Sequence, residues 1–145
     1  MESIKYLQAK YKPNTEYRID GIPVACCSPM APVNDETYDW VSRTMDVEGL
    51  LHPLVVMTRE VQLLHPHMGT ARLIIPDMDY YVYVGNNRLA YAVNNGYTHI
   101  DAYIISDPDS IGRHIGKLQR LMAMDENDWD VYQKTGSIDH VYQTC

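Results

Sequence analysis

The chain has 145 residues, long enough to bury one core but short of what two ordinary domains need, so a single domain is expected. With 46% hydrophobic and 21% charged residues it reads as a folded globule, not a disordered chain. A net charge of −7, with no run of Lys or Arg forming a basic stripe, argues against duplex-DNA binding by the chain on its own.

The opening residues, MESIKYLQAKYKPN, contain no apolar h-region, and no stretch has the length of a membrane span, so a soluble, cytoplasmic protein is the expectation. Residues 1–21 read as a weakly structured or edge-lying arm, with turn signals at Lys12-Pro13-Asn14 and Asp20-Gly21. Ile22-Pro23-Val24-Ala25 is next, a short strand placed at a sheet edge by its proline. The cysteines are Cys26, Cys27 and Cys145, an odd number with two adjacent, which is a poor disulfide framework. Cys26 and Cys27 read as small apolar fillers beside Pro23 and Pro29, with a reactive thiol as the alternative.

Asn34 as cap, with Asp35 and Glu36 in the first turn, predicts a helix running to about Glu48 and stopped by Gly49. Trp40, Val41 and Met45 form its apolar side. His52-Pro53 then leads into Leu54-Val55-Val56-Met57, an apolar run that fits a buried strand. Residues 60–77 hold Pro66, Gly69 and Pro76 around two apolar patches and are expected to be an insertion, read as a hairpin. Within it, His65-Pro66-His67 reads as a solvated loop; Asp77 and Asp79 read either as oxygen ligands for Mg²⁺ or as residues that solubilise a turn.

Tyr80-Tyr81-Val82-Tyr83-Val84 is a strand by composition and ends on Gly85. Asn86 or Asn87 is expected to cap a helix with apolar positions Leu89, Ala92 and Val93, and Gly96 to stop it. Ile100–Ile105 returns as a strand, completing a β–α–β unit with a right-handed crossover. Asp107-Pro108 opens a further helix with Ile111, Ile115, Leu118 and Met122 on one face. The expected core thus spans residues 22–124, and 125–145 is an extension whose acidic residues form a solvated face.

The turn Gly85-Asn86-Asn87-Arg88 carries the main chemical signal. A strand entering a helix through glycine presents free N–H groups and the positive end of the helix dipole, where an anion can sit. Arg88 adds a forked, permanently charged donor set suited to phosphate. Its competing role is a surface arginine that lays its stem on the sheet and pairs with a carboxylate. Asn86 and Asn87 serve as helix caps or as ligand contacts, His52 as a ligand neighbour or a turn histidine bonded to backbone, and Tyr91 as a core filler before a stacking platform.

From Gly85 through Gly96 to Ile105 the chain resembles, in register, the second conserved box of ParB N-terminal domains. "GLLHPLVV", from Gly49 to Val56, looks like the first box of the same family, in which a "QP" pair precedes a strand. The resemblance to the ParB/sulfiredoxin superfamily implies a small α/β domain, a mixed sheet with flanking helices. It implies a nucleoside triphosphate, ATP or CTP, bound with Mg²⁺ by Gly85, Asn86, Asn87, Arg88, His52 and Pro53. Hydrolysis or phosphoryl transfer would be the associated chemistry, with no catalytic residue and no protein metal ligand assigned. The ParB pattern has charged residues where this chain has Asn86, Asn87 and Ala90. Asn86 also stands where sulfiredoxins carry their cysteine, and an amide supplies no thiolate, so sulfiredoxin activity is not expected. The chain ends before a helix-turn-helix region or a dimerisation domain would fit, like short stand-alone ParB-like proteins of bacteria and bacteriophages. The competing expectation is a non-enzymatic interaction module whose acidic surface engages a basic protein partner.

Overall fold

Leu54, Val55, Val56 and Met57 are fully buried, which places their strand at the centre of the molecule with apolar layers on both sides. The computed structural model describes residues 3–12, 17–65, 69–107 and 134. In chain order these form β1 (Tyr6–Leu7), β2 (Arg18–Pro23), β3 (Cys27–Pro29), α1 (Asp35–Glu48), β4 (Leu54–Thr58), α2 (Arg59–Leu64), β5 (Tyr80–Val84), α3 (Asn86–Asn94) and β6 (His99–Ile105). One-turn 3₁₀ segments lie at Val24–Cys26 and Ala71–Leu73. The helix predicted after Asp107 lies outside the described residues, as does the extension at 125–145 apart from Lys134.

The strands make one mixed sheet in the order β1-β6-β4-β5-β3, with β2 also pairing β6. β4 runs parallel to β6 and antiparallel to β5, and β3 runs parallel to β5. β2 pairs antiparallel along residues 99–104 of β6, so β1, which pairs parallel at His99 and Ile100, shares the edge that β4 uses further along. Side chains alternate between the two faces. Leu54, Val56, Val82, Ile100, Ala102 and Ile104 pack with Met45 of α1 and with Leu89 and Ala92 of α3. Val55, Met57, Tyr81, Tyr103 and Ile105 pack with Val61 of α2.

Two expectations need correction, and the arm at 1–21 is decided in favour of its edge-lying alternative. Residues 60–77 do not form a hairpin: Arg59-Glu60-Val61-Gln62-Leu63-Leu64 is a run dominated by helix formers behind a Thr58 cap, and it becomes α2. The β–α–β unit is not a parallel crossover. Because β4 inserts between β5 and β6, parallel to one and antiparallel to the other, α3 joins two antiparallel strands. The arm at 1–21 contributes two strands, and it is held by a buried acid. Asp101, 2% exposed, accepts from the Ala9 N–H at 2.8 Å and from the Tyr6 hydroxyl, with Lys12 Nζ at 3.7 Å. Burial and this carboxylate push the Tyr6 phenol up to about 12. By contrast α1 starts and stops where its sequence signals say, with Asn34 Oδ1 accepting from the Thr37 N–H at 2.9 Å and the Gly49 N–H bonding Met45 O at 3.0 Å.

Candidate functional site

β5 ends in a bulge. Val55 and Val56 are adjacent on β4, yet they pair with Val84 and Val82, leaving Tyr83 as the extra residue on β5. A bulge bends its strand and re-aims the chain beyond it. The first residue beyond this one is Gly85, at φ +106° and ψ +30°, which caps α3. A Cβ here would lie 2.5 Å from Leu54 Cδ2 and 2.8 Å from Arg88 Nη2, so both the left-handed backbone and the close packing call for glycine. The expected asparagine cap is therefore replaced by the glycine before it. Leu89 is the first residue of α3 whose N–H finds an intrahelical acceptor, Gly85 O at 2.9 Å, so the N–H groups of Asn86, Asn87 and Arg88 precede the ladder.

Asn86 has a structural task. Its amide oxygen accepts from the N–H groups of Met30 at 2.9 Å and Ala31 at 3.4 Å, and its Nδ2 donates to Val82 O at 3.2 Å. It ties the chain leaving β3 to the turn. Asn87 does the opposite: its Oδ1 is buried and has no hydrogen-bond partner among the described residues.

Arg88 fits neither a free phosphate arm nor a surface ion pair. Its Nη1 donates to His52 O at 2.7 Å and to Pro53 O at 3.0 Å, which docks one edge of the guanidinium on the junction before β4. Among the described residues no carboxylate lies within ion-pair distance of it. Burial without a counter-ion lowers its pKa to about 10. His52, 2% exposed, supplies the nearer of these carbonyls and has its ring 6.0 Å from that of Tyr11. Desolvation, then the nearby Arg88 charge, drives this imidazole down to about 3, so it is neutral at physiological pH.

Gly85, Asn86, Asn87, Arg88 and His52 line one cleft of about 140 Å³; Pro53 does not line it and touches the group through its carbonyl, which accepts from Arg88. The opposite wall comes from α1: Thr37, Trp40, Val41, Thr44 and Met45. The sequence marked Trp40, Val41 and Met45 as core-facing, and their apolar spacing gave no sign that the same stripe also walls a cleft. Among the described residues Arg88 is the single charged one in the lining, and none there is Asp or Glu.

The remaining candidates lie elsewhere. Asp77 and Asp79 precede β5, whose five residues, about 17 Å of extended chain, separate them from Gly85. Arg59 occupies them, donating to Met78 O and Asp77 O, each at 3.0 Å, with Asp79 Oδ1 at 3.2 Å. Among the described residues no group of three His, Cys, Asp or Glu could hold a metal ion. Tyr91 is buried and donates to Asp46 Oδ1 at 2.7 Å, as a core residue with a satisfied hydroxyl. Cys27 is buried, and desolvation pushes its thiol to about 12, while Cys26 is half-buried with its thiol also raised; both are free. A reactive thiolate is disfavoured at both positions.

No protein-family model matches the sequence, and no curated protein matches it. Solved structures do. The N-terminal part of the chromosome-partitioning protein ParB from Caulobacter crescentus, solved with CTP-γ-S, superposes with a TM-score of 0.50 at 16% identity, over 77% of this chain and 57% of that one. Sulfiredoxin from Arabidopsis thaliana gives 0.42 at 16% identity, over 67% and 94%. A free serine kinase in complex with AMP gives 0.47 at 14% identity, over 71% and 37%. The chain thus spans little more than half of the ParB structure and about a third of the kinase.

Proposed function

The chain has the fold of the ParB/sulfiredoxin superfamily, and from that premise we propose that it is a nucleotide-binding module whose phosphate sits at Gly85–Arg88. One observation carries this reading: Arg88 is a partly buried cation anchored on two backbone carbonyls, with no carboxylate among the described residues to neutralise it, beside three N–H groups that open a helix. Such an arrangement attracts an anion, and its own anchoring bonds hold it in place before one arrives. The α1 wall supplies the apolar surface a base or sugar needs, and Trp40 offers an aromatic face in it.

ATP and CTP are the nucleotides the resemblance implies, with Mg²⁺. Mg²⁺ is ordinarily held by one or two carboxylates together with substrate phosphates. Among the described residues the lining has no carboxylate, so they do not fit a protein-held Mg²⁺. Binding, not turnover, is what the cleft supports. The imidazole in the lining, at a pKa of about 3, is too weak a base to accept a proton usefully near neutral pH.

Titration of the full chain against the common nucleoside triphosphates, with and without Mg²⁺, tests this. Amide NMR shifts should cluster at Gly85–Arg88 and His52. Failure to move these resonances with any nucleotide would sink the reading and favour a protein-interaction module presenting an acidic surface.

A further inference from the structure

We propose that the cleft takes a nucleoside monophosphate, bound without a divalent cation, in preference to the triphosphate with Mg²⁺. This rests on the nucleotide reading above and narrows its ligand class.

The charge of the site sets the first limit. Arg88 contributes one positive charge, and the N-terminus of α3 about half of one. A single phosphomonoester carries about −1.5 to −2 near pH 7, so the two sides match. Each further phosphate would add negative charge that no other cation of the described lining meets, on a chain whose net charge is already −7. In triphosphate sites that deficit is covered by a metal ion and additional cations. Among the described residues the lining has neither a second cation nor a carboxylate to bring the metal.

The hydrogen-bonding inventory sets the second. Asn87 Oδ1 is a buried acceptor that lacks a donor among the described residues, and leaving it so is unfavourable. The sugar hydroxyls next to the first phosphate of a nucleotide are donors. The outer phosphates of a triphosphate offer acceptors alone, which would face this oxygen unfavourably. At about 140 Å³ the cleft also lies below the roughly 300–1,000 Å³ usual for organic ligands, so a compact headgroup suits it better than an extended triphosphate chain.

Calorimetric titration of the full chain with AMP, ADP and ATP, and with CMP, CDP and CTP, in EDTA and again in Mg²⁺, decides the matter. The monophosphate of at least one base should bind equally well in EDTA and in Mg²⁺, and about tenfold or more tighter than the matching triphosphate in EDTA. Adding Mg²⁺ should not let the triphosphate overtake it. Asn87→Asp, which puts a carboxylate where the orphan oxygen lies, should weaken monophosphate binding in EDTA by about tenfold or more. Asn87→Ala, which removes the acceptor, should narrow the preference for the monophosphate over the triphosphate, and an unchanged ratio would show that this oxygen does not set it. Tight triphosphate binding that disappears in EDTA would overturn the inference while leaving nucleotide binding intact. Absence of binding by every nucleotide overturns the nucleotide reading itself, and this inference with it.

Discussion

Two arginines sit at opposite ends of β5, and they are anchored the same way. Arg59 donates to the carbonyls of Met78 and Asp77, and Arg88 donates to those of His52 and Pro53. They differ in what completes the charge. Arg59 has the Asp79 carboxylate at 3.2 Å, and both side chains are well exposed, at 43% and 61%. Arg88 has no carboxylate among the described residues, loses water by burial, and stands at the opening of α3. Carbonyl anchoring thus fixes a guanidinium wherever the chain needs a brace, and the missing counter-ion distinguishes the end proposed to receive a ligand.

The sharpest way to break this contrast is acid. His52 has a folded pKa of about 3 against an ordinary 6.5, so the native state refuses a proton that the unfolded chain accepts. Its contribution to stability is complete above pH 6.5 and is lost as pH falls toward 3, amounting to about 5 kcal/mol over that window. Urea unfolding at a series of pH values should show this slope, and His52→Gln should flatten it. An unchanged slope in the variant would mean that another group carries the acid sensitivity.

Gly85→Val strikes the same end through the backbone. The left-handed φ and the collisions with Leu54 and Arg88 should together cost about 2–5 kcal/mol in urea unfolding. Gly96→Ala, at φ +73° with open space where its Cβ would lie, makes the comparison: it should cost about 1–2 kcal/mol, from the backbone alone.

The sequence showed the strands and the helix starts where local chemistry decides them, as at the Asn34 cap, the Leu54–Met57 run and the Gly85 stop. It also singled out Gly85, Asn86, Asn87, Arg88 and His52, which line one cleft, because two motifs in the right order fall on both sides of it. What it hid depends on non-local partners. Nothing in Asn86 itself says that its amide is consumed by Met30 and Ala31, and nothing in Arg88 says that it faces carbonyls rather than a carboxylate. The α1 wall was read as core because a stripe at helical spacing looks alike whether it meets a sheet or borders a cleft. The place of β4 between β5 and β6 was invisible for a similar reason, since strand order is set by pairing at long range.

Arg88→Ala should weaken nucleotide binding by about 1.5–3 kcal/mol, the scale of a hydrogen bond to a charged group. Inorganic phosphate offers a simpler readout: it should raise the Tm of the wild-type chain by linkage and leave that of Arg88→Ala unmoved. Arg88→Lys keeps the charge but has no fork to hold two carbonyls while facing a ligand, so its affinity should fall between the two. Equal affinities in all three proteins, each folded, would show that the anion is held elsewhere.

The smallest effect is the most instructive about what makes a site. Asp79→Asn removes the carboxylate from Arg59 and leaves a guanidinium held by Met78 O and Asp77 O alone, the same anchoring that Arg88 has. If anchoring without a counter-ion were sufficient, this variant would gain an anion site. It should not. Arg59 stays solvated, so water takes over from the lost carboxylate, and the exposed ion pair itself is worth about 0–1 kcal/mol. The N-terminus of α2 is already engaged, with the Thr58 hydroxyl accepting from the Val61 N–H. Unfolding free energy should therefore shift by less than about 1 kcal/mol, and phosphate should produce no new amide shifts around Arg59. New phosphate-dependent shifts there would mean that burial and a free helix start contribute less to the Arg88 site than the contrast between the two ends of β5 implies.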